Sequence, residues 1–183
     1  MRYGRSRYLV AMNGTNGIVL LSHGLESGPT ATKVAALARV AQARGWQAEC
    51  LDYRDLDATR DVQRIADRVA RLRDRAVGAV GLVLAGSSMG AFISGLVSLV
   101  VRPRALFLMA PPLAIPGFAT RFDAAPVPTT IVHGWHDELI PADAVYAFAK
   151  ARDAELHLVN DAHRLEAHVD YCADRFAELL ARL

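Results

Sequence analysis

Residues 79–90 read Ala-Val-Gly-Leu-Val-Leu-Ala-Gly-Ser-Ser-Met-Gly, an apolar run that ends in a G-x-S-x-G pattern at Gly86 to Gly90. The run is rich in Val and Leu with little alternation, which is typical of a strand buried on both faces of a parallel sheet. Residues 89–101 predict an apolar helix. Glycines on both sides of Ser88 permit a tight strand-to-helix turn, and the helix N-terminus directs free N–H groups at the serine. The stretch makes Ser88 a candidate nucleophile, although plain α/β turns also carry small residues.

Six further short apolar runs accompany this one, and helix-like segments separate most of them. The seven runs cover residues 7–12, 17–22, 47–52, 79–85, 105–110, 129–133 and 155–159. This alternation predicts a single α/β domain over residues 1–183, a three-layer α/β/α sandwich with a mostly parallel sheet of about seven strands. Asn-Gly turn chemistry at 13–17 joins the first two runs, so we expect a hairpin and one antiparallel edge strand.

The segments between the runs carry helix signals. Thr30 or Thr32 is a candidate cap for a helix that extends to about Arg44 and ends at Gly45. Apolar residues at helical spacing predict a second helix over 59–76. Its other side carries arginines interleaved with aspartates, which we interpret as a solvated face rather than a site for an acidic partner. These arginines are Arg60, Arg64, Arg68, Arg71 and Arg75. Three more helices are expected at about 89–101, 141–152 and 165–182.

Composition limits the class of protein. A chain of 183 residues suits one core, and a formal net charge of +2 lacks the strong basic excess of most nucleic-acid binders. No apolar run approaches the roughly 20 residues that cross a bilayer, so we expect no membrane partner. Cys50 and Cys172 are far apart and form no metal-ligand pattern, which favours a reduced compartment. We therefore expect a cytoplasmic protein that uses no metal and no other cofactor. Composition leaves the oligomeric state open.

A serine hydroxyl becomes an effective nucleophile when a base removes its proton, and histidine is the usual base. Hydrolases with this elbow order their residues as Ser, acid and His, with the partners in loops after later strands. His163 follows the last predicted strand and precedes the last helix, and it alone has the expected position. The other histidines are His23, His133, His136, His157 and His168.

Asp137 is the candidate acid, because it lies in a turn after the apolar run at 129–133. Glu138 is the competing neighbour. Asp143 lies at the start of the next helix, where an acidic residue also interacts favourably with the helix dipole. A turn aspartate that bonds only its own backbone is the alternative interpretation of Asp137. Ser88 and His163, present in the expected order, favour the catalytic one.

Four short pieces of the sequence follow one another in a known order. They are Ser22-His23-Gly24-Leu25, Gly86-Ser87-Ser88-Met89-Gly90, His133-Gly134-x-x-Asp137 and Ala162-His163. Together they resemble the motifs of the α/β-hydrolase superfamily, near its small carboxylesterase-like members, over residues 17 to 170. The resemblance implies an oxyanion hole made by the backbone N–H groups of Leu25 and Met89. It also implies that His23 shapes that loop and does not move protons.

The sequence departs from larger members of the family, which insert a lid domain after the strand that follows the nucleophile helix. Here that strand ends near Ala110 and the next begins near Thr129, which leaves too few residues for a helical lid. The resemblance therefore implies an open site without interfacial activation, in which a few loop residues select the substrate. The candidates are Leu25, Met89, Pro112, Phe118 and Trp135.

These features predict a serine hydrolase that cleaves carboxylic esters of small or medium acyl groups through an acyl-enzyme. Thioester or amide hydrolysis is the nearest alternative, because all three reactions pass through a tetrahedral oxyanion. A non-catalytic protein of the α/β-hydrolase fold, which binds a ligand or a partner, is the alternative from another class. Such proteins usually lack a triad member. The expected partner is a small-molecule ester rather than a nucleic acid or a membrane.

Overall fold

The computed structural model describes residues 15–183, which contain one sheet of six strands. The strands are β1 (Ile18–Ser22), β2 (Gln47–Leu51), β3 (Val83–Ser87), β4 (Ala105–Met109), β5 (Thr129–Gly134) and β6 (Glu155–Val159). Their order is β2-β1-β3-β4-β5-β6, and every neighbouring pair is parallel. The predicted α/β class and parallel sheet are confirmed. The described sheet has six strands rather than about seven, because the run at 7–12, and with it the antiparallel hairpin, lies outside the described residues.

Helices cover both faces of the sheet. They are α1 (Thr32–Ala43), α2 (Arg54–Asp57), α3 (Ile65–Ala76), α4 (Met89–Val101), α5 (Ala142–Ala151) and α6 (Val169–Ala181), with 3₁₀ turns at Val62–Arg64 and Glu166–His168. Successive strand residues point to opposite faces. In β1, Leu20 packs into one apolar cluster with α3, α4 and α5, whereas Val19 and Leu21 pack into another with α1 and α6. This arrangement is the predicted three-layer sandwich.

The first helix begins without the predicted side-chain cap. Its cap residue is Ala31, and neither Thr30 nor Thr32 holds that position. A turn in which the Ala31 N–H donates to Gly28 O, at 3.0 Å, directs the chain into α1 instead. Gly45 follows the helix at a φ of +75°, in the left-handed region that ends helices.

The segment at 59–76 is not one continuous helix, and its arginines are not all solvated. The Asp61 carboxylate accepts a hydrogen bond from the Gln63 N–H at 2.9 Å, which starts a 3₁₀ turn before α3. Arg68 lies one helical turn before the fully buried Leu72 and therefore shares its inward face. The Arg68 side chain is only 1% exposed. The prediction of a solvated arginine face is wrong at this position.

One edge of the sheet collects the loops of interest, because the carboxyl ends of parallel strands meet at the same edge. The loops after β1, β3, β5 and β6 bring together residues 23–28, Ser88, 135–141 and 160–165. Within residues 15–183, no helix is long and apolar enough to cross a membrane.

Candidate active site

Ser88 lies on the turn between β3 and α4 in a backbone conformation that few non-glycine residues adopt. Its φ is 53° and its ψ is −118°. Its N–H donates a hydrogen bond of 2.8 Å to Met109 O on the neighbouring strand. A Cβ at Gly86 would lie 2.3 Å from the Gly90 carbonyl, and a Cβ at Gly90 would lie 1.9 Å from Ser22 O. The two motif glycines are therefore required by close backbone packing around the turn.

The structure joins the three predicted residues in one hydrogen-bonded array. Ser88 Oγ lies 2.8 Å from His163 Nε2, and His163 Nδ1 lies 2.8 Å from Asp137 Oδ2. The Asp137 side chain is fully buried, and its other oxygen accepts hydrogen bonds from the N–H groups of Leu139 and Ile140 at 2.9 and 2.8 Å. Because the carboxylate accepts from Nδ1–H, Nε2 is left to accept the serine proton.

The two competing carboxylates occupy other positions. Glu138 accepts a hydrogen bond from the backbone N–H of His163 at 3.2 Å. Hydrogen bonds from its own backbone N–H and from that of His163 hold the pKa of Glu138 below its ordinary value. Asp143 lies in the first turn of α5. Of the three carboxylates, Asp137 is the one hydrogen-bonded to the His163 ring.

Of the six histidines, His163 is the one hydrogen-bonded to Ser88. His133 is completely buried, and burial lowers the pKa of His133, which favours the neutral ring. His157 Nδ1 lies 2.9 Å from the Tyr171 hydroxyl on α6, and His168 Nδ1, in the 3₁₀ turn before α6, lies 2.9 Å from the Asp161 carboxylate on the loop after β6. These contacts leave His163 as the histidine that meets Ser88.

The loops that carry the acid and the base are joined backbone to backbone. The Trp135 N–H donates to Val159 O at 2.8 Å, and the His136 N–H donates to Asp161 O at 3.0 Å. A Cβ at Gly134 would lie 2.4 Å from Asp161 O, so only glycine lets the two loops approach this closely. Sequence reasoning did not single out Gly134, although the residue stands inside the His133-Gly134-x-x-Asp137 pattern and could have been found there.

The loop after β1 is shaped by His23, as the resemblance implied. His23 is buried, its Nδ1–H donates to Gly24 O at 2.7 Å, and its Nε2 accepts from the Tyr53 N–H at 3.0 Å. Burial lowers the pKa of His23, which favours the neutral ring. Within residues 15–183 neither the Leu25 N–H nor the Met89 N–H donates a hydrogen bond to another backbone group.

Arg68 supports the same loop and was missed by sequence reasoning. Its guanidinium forms an ion pair with Asp57, with Nη2 2.6 Å from Oδ2 and Nε 2.8 Å from Oδ1. It also donates to His23 O at 3.2 Å and Gly24 O at 3.4 Å, and its Cζ lies 4.5 Å from the centre of the Tyr53 ring. The spacing of Arg68 from the apolar positions of α3 was the one signal that could have revealed its burial.

Comparisons with solved structures identify the family of the chain, although no family model and no curated protein matches the sequence. A crystal structure of a Xanthomonas campestris protein assigned to the alpha/beta hydrolase superfamily is 52% identical, with a TM-score of 0.89, and the match covers 93% of this chain and 100% of that one. The chain belongs to the α/β-hydrolase superfamily. The predicted family is thereby confirmed.

Two more distant structures share the hydrolase fold. A Pyrococcus furiosus esterase is 16% identical with a TM-score of 0.74, over 93% of this chain and 83% of that one. A serine hydrolase without a lid from Xanthomonas campestris is 20% identical with a TM-score of 0.57, over 87% and 82% of the two chains. In the chain described here, residues 110–128 between β4 and β5 form neither helix nor strand, so no helical lid is inserted there.

The loop residues proposed to select the substrate differ in their exposure. Leu25 and Trp135, on the loops after β1 and β5, are each 54% exposed. Met89 is buried, Pro112 is half-buried, and Phe118 packs partly against the apolar core next to α4. Leu25 and Trp135 are therefore the apolar side chains of this set most accessible to a substrate of the hydrolase.

Proposed function

We propose that this member of the α/β-hydrolase superfamily is a serine hydrolase that cleaves carboxylic esters of small or medium acyl groups. One observation carries the proposal: the hydrogen-bonded array in which His163 lies 2.8 Å from both Ser88 Oγ and Asp137 Oδ2. Ser88 is the nucleophile, His163 the general base, and Asp137 the acid that orients the imidazole. The Ser88–His163 distance lies within the reach that proton transfer requires, and the His163–Asp137 distance is that of the hydrogen bond that orients the ring.

In the first step His163 Nε2 takes the proton of Ser88 as Oγ attacks the ester carbonyl. Asp137 stays ionised and stabilises the imidazolium that forms. The imidazolium then gives its proton to the departing alcohol, which leaves an acyl group on Ser88. In the second half-reaction His163 activates a water molecule, which releases the acid and restores the free serine.

Each half-reaction passes through a tetrahedral oxyanion, and the N–H groups of Leu25 and Met89 are proposed to bind it. Met89 is the first residue of α4, so its N–H has no acceptor within the helix and lies at the positive end of the helix dipole. Leu25 supplies the second donor from the loop after β1. Two preformed donors stabilise charge that develops in the transition state without reorganisation.

The proposed substrate class rests on the surroundings of Ser88. The exposed side chains of Leu25 and Trp135 offer apolar contact to an acyl chain. The absence of a helical lid between β4 and β5 keeps the site open to small soluble esters. The Pyrococcus furiosus relative is named as an esterase, which favours esters over thioesters and amides.

The proposal is tested by measuring hydrolysis of p-nitrophenyl esters from acetate to decanoate by the wild type, Ser88→Ala and Ser87→Ala. We expect turnover that is greatest at short or medium chain length, its near-complete loss in Ser88→Ala, and its retention in Ser87→Ala. Ser87 is the matched control, because it is the adjacent serine at the end of β3 and lies outside the hydrogen-bonded array. A fluorophosphonate should label the wild type once, at Ser88.

Two outcomes would contradict the proposal. An unlabelled Ser88 and no turnover of any ester would favour a protein that only binds ligands. Faster turnover of acyl thioesters or amides than of matched esters would keep the serine mechanism and refute the ester preference.

A further inference from the structure

A buried ion pair lies beneath the loop after β1, and the proposed reaction makes no direct use of it. The Arg68 guanidinium is bonded to Asp57 through two parallel contacts, and the side chains are only 1% and 10% exposed. Burying two charges has a large desolvation cost, so such a pair is weak evidence of a stability function. The desolvation cost of the pair favours a role in fixing the geometry of the loop above it.

The donors that Arg68 does not use on Asp57 reach the loop itself. Nη1 donates to His23 O at 3.2 Å, and Nη2 lies 3.4 Å from Gly24 O. The Gly24 carbonyl also accepts from His23 Nδ1 at 2.7 Å and from the Ser27 hydroxyl at 3.0 Å. Three side chains, from two separate segments, thus converge on one carbonyl oxygen.

The orientation of that carbonyl decides where the next N–H points. Gly24 C=O and Leu25 N–H belong to the same peptide unit, and in a planar trans peptide the two groups point in opposite directions. Donors that hold the carbonyl toward Arg68 therefore hold the Leu25 N–H away from it. Glycine permits many rotations of this peptide, so the unit needs external support. The same glycine lies against the turn of the nucleophile, because a Cβ there would be 3.6 Å from Ser88 Cβ.

We propose that Arg68, anchored by Asp57, is a positioning residue that orients the Gly24–Leu25 peptide so that the Leu25 N–H is ready to bind the oxyanion. This inference rests on the proposed serine hydrolase function. Arg68 acts through the Gly24 carbonyl and does not touch the substrate. Tyr53 completes the arrangement: its ring stacks on the guanidinium, and its N–H holds the His23 ring in the tautomer that donates to the same carbonyl.

The alternative is that Arg68 only stabilises the fold, and the helix offers a matched control for it. Arg71 lies one turn further along α3, forms an ion pair with Asp55 at 2.7 Å, and also approaches the Tyr53 ring, at 5.9 Å. Arg71 donates to Asp52 O and has no contact with the carbonyls of His23 or Gly24. Arg71→Met therefore removes an ion pair from the same helix, one that is more exposed than Arg68–Asp57, without freeing the Gly24–Leu25 peptide.

The test compares Arg68→Met, Arg68→Lys, Asp57→Asn and Arg71→Met on one p-nitrophenyl ester, with kcat expressed per site that a fluorophosphonate titrates. Titration counts only folded, competent sites, so a loss of folded protein does not mimic a loss of rate. We expect kcat to fall about 10²-fold in Arg68→Met with KM nearly unchanged, because misplacing a catalytic donor costs this much. Arg68→Lys and Asp57→Asn should lose less, and Arg71→Met should match the wild type.

A second readout separates orientation from stability. A trifluoromethyl ketone forms a tetrahedral adduct with the serine, and its affinity should fall across the variants in proportion to kcat/KM, whereas the affinity for the product acid should not change. Equal kcat per titrated site in Arg68→Met and Arg71→Met, or unchanged ketone affinity in all four variants, would overturn the positioning role. Inactivity of the wild type itself would instead overturn the proposed function.

Discussion

The two sides of the candidate active site are built by different means. The proposed acid–base side consists of Asp137 and His163 on the loops after β5 and β6, and the support of the Asp137 carboxylate is short-range. Asp137 is held by the N–H groups of Leu139 and Ile140, two and three residues further on. The proposed oxyanion side consists of residues 23–28, and its support comes from Tyr53, Asp57 and Arg68, which lie some 30 to 45 positions away in the sequence.

This difference separates what a short motif encodes from what the tertiary fold supplies. A turn aspartate accepts hydrogen bonds from backbone groups two or three residues further on, so a few consecutive residues determine the geometry of the acid. In the loop after β1, the Gly24 carbonyl has two local partners, His23 and Ser27, and a third partner from a distant segment. That third partner is the buried Arg68 guanidinium on α3, and the sequence around Gly24 does not predict its presence.

The largest effects should come from the array itself. Ser88→Ala should abolish ester turnover, His163→Ala should do about as much damage, and the double variant should be little worse than either single one, because the two residues act on one proton. Steady-state kinetics on a p-nitrophenyl ester provides the measurement. Fully additive losses would show that Ser88 and His163 do not act as a unit.

The acid is distinguished from its neighbours by three amide substitutions. Asp137→Asn should lower kcat by about 10⁴, because the amide favours the wrong imidazole tautomer. Glu138→Gln and Asp143→Asn should stay within roughly tenfold of the wild type, since neither carboxylate bonds the imidazole. An unchanged kcat in Asp137→Asn together with a strongly reduced kcat in Glu138→Gln would refute this assignment and leave the enzyme class intact.

Much of the fold, and the proximity of the acid, base and nucleophile, could be predicted because each depends on local signals. Short apolar runs located the six described strands, and the G-x-S-x-G pattern placed Ser88. Two features could not be predicted in the same way. The start of α1 depends on a turn at Gly28, and the burial of Arg68 depends on its pairing with Asp57. Charge alone suggests solvent, and only the tertiary partner reverses that expectation.

The next effect concerns the contact between the loops of the acid–base side. Gly134→Ala places a methyl group 2.4 Å from Asp161 O and 2.7 Å from Ala162 O. Both are backbone atoms, so the loops must separate, and we expect kcat to fall by about 10² as the acid and base move apart. Thermal unfolding and kcat per titrated site are the measurements.

Gly78→Ala serves as the control for this substitution. Its added methyl group meets nothing within 4 Å, but its φ of +77° strains an alanine. It should lower the free energy of unfolding by about 1 kcal/mol without changing kcat. Equal kcat in the two glycine variants would show that the close approach at Gly134 is not needed for the chemistry.

Each side also contains a buried neutral histidine, which makes the fold sensitive to acid. Burial lowers the pKa values of His23 and His133 relative to the unfolded chain. The unfolded state therefore binds more protons, so this contribution is fully present above a pH of about 6.5 and is lost as the pH falls toward the lowered native values. Carboxylates such as Asp55, with a pKa held at about 2 by the Arg71 guanidinium, affect stability only in stronger acid.

Urea denaturation at a series of pH values between 7.5 and 5 measures this dependence. The unfolding midpoint should fall with pH in the wild type, and the slope should be shallower in His23→Gln and in His133→Gln, whatever their absolute stability. A slope that only one of the two variants reduces would assign the acid sensitivity to one side of the site. An unchanged slope in both would contradict the burial argument.

The smallest effect should come from an arginine on the same helical segment as Arg68. Arg64 pairs with Asp67 at 2.8 Å, but both side chains are close to half exposed. Water screens that pair, and holding two long side chains together costs entropy, so Arg64→Ala should lower the free energy of unfolding by about 0.5 kcal/mol or less. Arg68→Ala leaves Asp57 buried without its partner and should cost about 3–5 kcal/mol. Urea denaturation measures the loss in the free energy of unfolding for each of the two variants. Similar costs would mean that burial does not distinguish the two ion pairs, and would remove the physical basis for treating Arg68 as more than a surface charge.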